Sequence, residues 1–122
     1  MHGSLVTQWV FNMLIDEIQN TYDLLTQSIK ALRKTSEAYA KAERDYKILL
    51  RQECLKLRDE GMAVGMITLT CYGIPSVAEA RFKRDIAEAN WKANQEAIQS
   101  YKLQLRLLDN QVSREWSNPE GL

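Results

Sequence analysis

From Ile15 onward, apolar residues recur at alternating intervals of three and four: Ile15, Ile18, Tyr22, Leu25, Ile29, Leu32, Ser36, Tyr39, Glu43, Tyr46, Leu50, Glu53 and Leu57. This spacing is a heptad seam along one side of a helix, and only three of its thirteen positions are polar. No Pro or Gly interrupts the stretch, and Glu37→Lys41 and Glu43→Lys47 are four-residue charge pairs in the favourable order. The pattern predicts one helix over about 13–60, roughly 70 Å long at 1.5 Å per residue. Gly61 suits the left-handed position just past its end.

A second helix is predicted over about 76–116. Ser76 with Glu79 three residues on reads as a capping box. Beyond it Ala87, Trp91, Asn94, Ile98, Tyr101, Leu105, Leu108 and Val112 form a second seam, with a further stripe of Phe82, Ile86, Ala89, Ala93 and Ala97 beside it. Trp116 is the expected last turn, because Ser117-Asn118-Pro119-Glu120-Gly121 stops a helix.

Between the two helices lies a connector, 61–75, that is longer and more apolar than a helix reversal requires. Over Met66 to Tyr72 it alternates Ile67, Leu69 and Cys71 against Thr68, Thr70 and Tyr72, which suits a strand paired to another chain. A short helical or irregular cap over the end of the helix pair is the equal alternative. The fold class is therefore all-α, a long antiparallel two-helix hairpin. Two helices bury little core, so self-association into a four-helix bundle or larger oligomer is expected, with Trp91, Ile98, Tyr101, Leu105, Leu108 and Val112 as its seam.

Charge changes the picture modestly. Sixteen Lys/Arg balance sixteen Asp/Glu, which argues against a strongly basic nucleic-acid binder. The distribution is uneven: the first 29 residues carry only Asp16, Glu17 and Asp23, whereas 30–60 and 81–106 are mildly basic. Cys54 and Cys71 are the only cysteines, a usage that fits a reducing, cytoplasmic setting. The apolar stretch from Leu5 to Ile15 is too short to span a bilayer, which needs about 20 residues. Residues 1–12 read either as a leader, Met1-His2-Gly3-Ser4 having the look of a vector-derived tag, or as the first turns of helix one with Trp9 and Phe11 in the core. On the first reading 13–122 is the single helical domain.

No catalytic template assembles. The one histidine, His2, lies in the suspected leader, no cysteine pair has metal-ligand spacing, and the glycines do not make a phosphate-cradling loop. No enzyme activity, cofactor or metal is expected. Two features remain. Met66, Ile67, Leu69 and Tyr72 of the connector are candidates for docking a protein. Lys41, Arg44 and Lys47 on helix one, with Arg81, Lys83 and Arg84 on helix two, are candidates for nucleic acid because Tyr39, Tyr46 and Trp91 are interleaved with them.

The runs Lys56 to Gly61, Val77 to Asn90 and Lys102 to Trp116 resemble small helical proteins encoded by phages and prophages of Gram-positive bacteria, a resemblance covering about 13–117. It implies an accessory or inhibitory role inside a bacterial host cell and brings no residue with an assigned chemistry. The expected function is a non-enzymatic, protein-binding accessory factor acting on a host or phage protein. The alternative is a nucleic-acid-binding accessory of phage recombination or replication.

Overall fold

A computed structural model describes residues 4–117, of which 94% are helical and none forms a strand. Three helices follow in order: α1 (Leu5–Asp59), α2 (Val64–Tyr72) and α3 (Pro75–Ser117). The chain divides into two compact units. The terminal unit takes the start of α1 through Ala31 and α3 from Asn94 on; the turn unit is Leu32–Ala93. In each, α1 packs against α3 in antiparallel order, as a hairpin requires.

Helix α1 starts earlier than its heptad pattern. The Ser4 hydroxyl accepts the Thr7 backbone N–H at 3.3 Å, and the Ser4 carbonyl accepts the Gln8 N–H. Ser4 is thus the N-cap, and residues 5–12 form the first turns of α1. Residues 1–3 of the suspected leader, His2 among them, lie outside the described residues. At its other end α1 closes with a Schellman motif. The Gly61 N–H bonds the Arg58 carbonyl, the Met62 N–H bonds the Leu57 carbonyl, and Gly61 sits at φ +87°.

The connector is helical from Val64 to Tyr72, which corrects the strand reading. A lone strand leaves its N–H and C=O groups without partners, whereas a helix satisfies them internally. Ala63 begins α2 without a side-chain cap, and Gly73 ends it. Only Gly73-Ile74 separates α2 from α3, which opens with Pro75 at its first position. The Ile74 carbonyl accepts the Ala78 N–H at 2.9 Å, so Ile74 occupies the cap position assigned to Ser76. The capping box is therefore displaced: Ser76 and Glu79 both lie inside α3, exposed. Helix α3 takes in Trp116 and Ser117; the expected stop falls on Asn118 to Gly121, which lie outside the described residues.

The turn unit holds a small core in which buried Tyr46, Cys71 and Val77 are packed by Leu49, Leu50, Cys54, Leu57, Ile74 and Ala80. All three helices contribute, so α2 is held down by its buried side chain Cys71, whose thiol donates to the Leu50 carbonyl at 3.6 Å.

The terminal unit buries Leu14, Thr21, Leu25 and Ile98. Here the α1 seam differs from its sequence reading at every second position: Leu14 and Thr21 turn inward and Ser28 is half-buried, while Ile15, Tyr22 and Ile29 are exposed. Asn94 explains the choice, because its amide Nδ2 donates to the Ser28 carbonyl at 2.9 Å. A half-buried amide facing the partner helix is best satisfied by that acceptor, and small side chains beside it admit it. Phe11 meets Trp116 edge to face at 5.8 Å, so the early turns do contribute packing, although Trp9 is exposed.

Candidate functional site

Four sequence candidates lie on α2, and the helix divides them. Ile67 is half-buried against the turn unit, and Tyr72 lies under the Arg81 guanidinium at 5.7 Å from the ring centre. Met66 is 52% and Leu69 72% exposed. Val64, which the strand alternation did not single out, is more exposed still. No residue of α2 is charged. An amphipathic surface helix would turn a polar face to water; α2 turns Val64, Met66 and Leu69 there instead.

Most of the basic candidates are engaged within the chain. Arg84 reaches Glu43 at 3.7 Å and Asp85 at 2.9 Å while lying 4.6 Å from the centre of the Tyr46 ring. Lys47 also pairs with Glu43, Arg44 pairs with Asp45, and Arg81 covers Tyr72. Four of the six cations are thus engaged within the chain. The interleaved aromatics are engaged too: Tyr39 and Trp91 stack at 5.3 Å and 23° between planes, and Tyr46 is core. The Tyr39 phenol is pushed up to about 12, foremost by its hydrogen bond to Glu88, whose carboxyl that bond holds below the usual range. A stacked, hydrogen-bonded tyrosine offers no free face to a base.

Lys41 and Lys83 remain, and they flank a groove that sequence reasoning missed. Two adjoining hollows of about 510 and 630 Å³ share Ala38, Glu79 and Lys83. Ala38 and Ala42 of α1 and Ala80 and Ala87 of α3 line them, with Leu49 in one and Phe82 and Ile86 in the other. Lys34, Lys41 and Lys83 stand at the edge, and among the described residues none of the three forms an ion pair. Glu37, the expected partner of Lys41, bonds Arg33 instead at 3.1 Å. The alanines were legible as good helix formers; that they converge from two helices on one wall was not.

The seam residues of α3 are on its packed side. Ile98 is buried, and Trp91, Tyr101, Leu105, Leu108 and Val112 are half-buried, so they serve packing within the chain rather than standing open to a second one. The second stripe is the outer one: Phe82, Ile86, Ala89 and Ala93 are exposed, and only Ala97 is half-buried.

Cys71 is fully buried and its thiol is pushed up to about 11, first by burial and then by the Cys54 thiol beside it. Such a thiol is a weak nucleophile. Among the described residues no three His, Cys, Asp or Glu side chains converge to hold a metal, and no helix is long and apolar enough to cross a membrane. No family model, curated protein or solved structure matches this chain.

Proposed function

We propose that this chain is a non-enzymatic accessory factor that binds another protein through α2 and associates with itself. The observation that carries the reading is the exposed, uncharged surface of α2, where Met66 and Leu69 share the side turned away from Cys71 and Val64 stands in water at the first turn, although the helix is held in place by Cys71 beneath. Exposed apolar clusters on a rigid support are the usual mark of a docking surface. Because α2 carries no charge, the matching surface is an apolar groove without charged residues at its centre. The resemblance of 13–117 to small phage-encoded helical proteins is the support for a host or phage protein as that partner.

Capture from host lysate by wild-type protein and by a Met66→Ser/Leu69→Ser variant tests the reading. The variant is expected to lose a species that the wild type retains while keeping its helicity. Retention of the same species by both proteins contradicts docking through α2. Single-stranded DNA gives the complementary control: binding that weakens steeply with salt would favour the nucleic-acid alternative, through release of counterions from the phosphates.

A further inference from the structure

We propose that the alanine-lined groove of the turn unit is a seat for the N-terminal helical face of a second copy of this chain. The inference rests on the self-association put forward above and gives it a surface. Its first support is shape. Ala38, Ala42, Ala80 and Ala87 carry no side chain beyond Cβ, which lets a third helix approach at the short end of the usual 8–10 Å interaxial range. Along α1 the groove runs from Lys34 to Leu49, some 22 Å at 1.5 Å per residue, which accommodates four turns of helix.

Its second support is charge. Lys34, Lys41 and Lys83 form no ion pair among the described residues and outnumber the groove's two acids, Glu79 and Asp45, of which Asp45 is paired with Arg44, so a helix with acidic flanks completes the groove's edge better than a neutral one. The chain itself carries such a helix. Between Leu5 and Ile29 its only charges are Asp16, Glu17 and Asp23, and none of the three is in an ion pair among the described residues. Val6, Trp9, Met13 and Leu24 stand exposed along the same stretch. With Asp16, Glu17, Asn20 and Asp23 they recur at intervals of three and four, so acids and exposed apolar side chains share one outward face. Groove and face thus match in apolar character and oppose in charge, and they lie on different parts of the chain, which lets two molecules pair.

The test uses full-length chains with the charges exchanged. One variant carries Lys34→Glu, Lys41→Glu and Lys83→Glu; the other carries Asp16→Lys, Glu17→Lys and Asp23→Lys. All six positions are exposed, and circular dichroism confirms that each variant keeps its helicity. Sedimentation equilibrium at low salt is expected to show wild-type association above the 14.1 kDa monomer. Each variant alone should be weakened on the order of 100-fold, the effect of several like-charge juxtapositions. An equimolar mixture of the two should recover wild-type affinity, since the reversed groove of one then meets the reversed face of the other. Wild-type association that both single variants retain, or that the mixture fails to recover, overturns the groove as the seat while self-association stands. A wild-type protein that stays monomeric at every concentration overturns both.

Discussion

Adjacent residues Leu14 and Ile15 are of equal size and, on the structure, of opposite importance. Leu14 is 7% exposed and Ile15 54%. Leu14→Ala removes nearly the whole transfer energy of a buried leucine and leaves a cavity between α1 and α3, a loss of about 2–5 kcal/mol. Ile15→Ala removes less than half of the roughly 1.5–3 kcal/mol that full burial is worth, or about 1 kcal/mol. Alanine then returns a few tenths of a kcal/mol because it loses no β-branched rotamer freedom in a helix. The net cost is about 0.5 kcal/mol. At roughly 3–5 °C per kcal/mol for a chain of this size, the two variants should differ by some 5 to 20 °C in thermal midpoint. Thermal unfolding followed by far-ultraviolet circular dichroism, at a protein concentration held equal for both, measures the difference. An Ile15→Ala variant destabilised as much as Leu14→Ala would refute the reasoning and restore the seam that places Ile15, Tyr22 and Ile29 inside.

Further expectations follow from single groups. Tyr39 is raised from 10.0 to about 12 in the folded protein, so its contribution to stability is intact below pH 10 and is lost as pH rises through about 12. Glu88→Gln, which removes both the accepting carboxylate and its charge, should shift the last phenolate absorbance step to lower pH; an unchanged step would remove Glu88 as the cause. Cys54 should react with a soluble thiol reagent in the native protein well before Cys71, whose thiolate is only on the order of 10⁻⁴ of the population at pH 7; equal rates would mean that α2 is not held down. Val77→Ala, in the three-helix core of the turn unit, should cost about 1–3 kcal/mol in urea unfolding. Met66→Ser with Leu69→Ser should cost about 1–2 kcal/mol together in the same assay, because Leu69 is mostly and Met66 half in water and serine adds a few tenths of a kcal/mol at each helical position.

The helical class, the reversal near Gly61 and the whole α3 seam were legible because heptad spacing over many turns is a strong, redundant signal. The α1 seam was legible only at alternate positions. Hydropathy prefers Tyr22 to Thr21 and Ile29 to Ser28, and only the partner helix decides otherwise, through the Asn94 amide that must reach the Ser28 carbonyl. The connector was ambiguous for a related reason: nine uncharged residues with β-branched content suit a strand locally, but no strand partner exists among the described residues, and the helix completes its own hydrogen bonds. For the candidate sites, the apolar excess of the connector was legible in the sequence, and Met66 and Leu69 are the two of its four candidates most exposed. Arg84 and Lys47 could not be discounted that way, since their engagement depends on Glu43, Asp85 and the Tyr46 ring arriving from two helices.

Docking of a protein on α2 is tested most directly by photo-crosslinking from the position it singles out. A photoreactive residue at Leu69, exposed on α2, is compared in host cells with the same residue at Arg106, exposed on α3. A discrete heavier adduct from Leu69 and none of the same mass from Arg106 is the outcome expected here. Identical adducts from both positions, or none from Leu69, would contradict it.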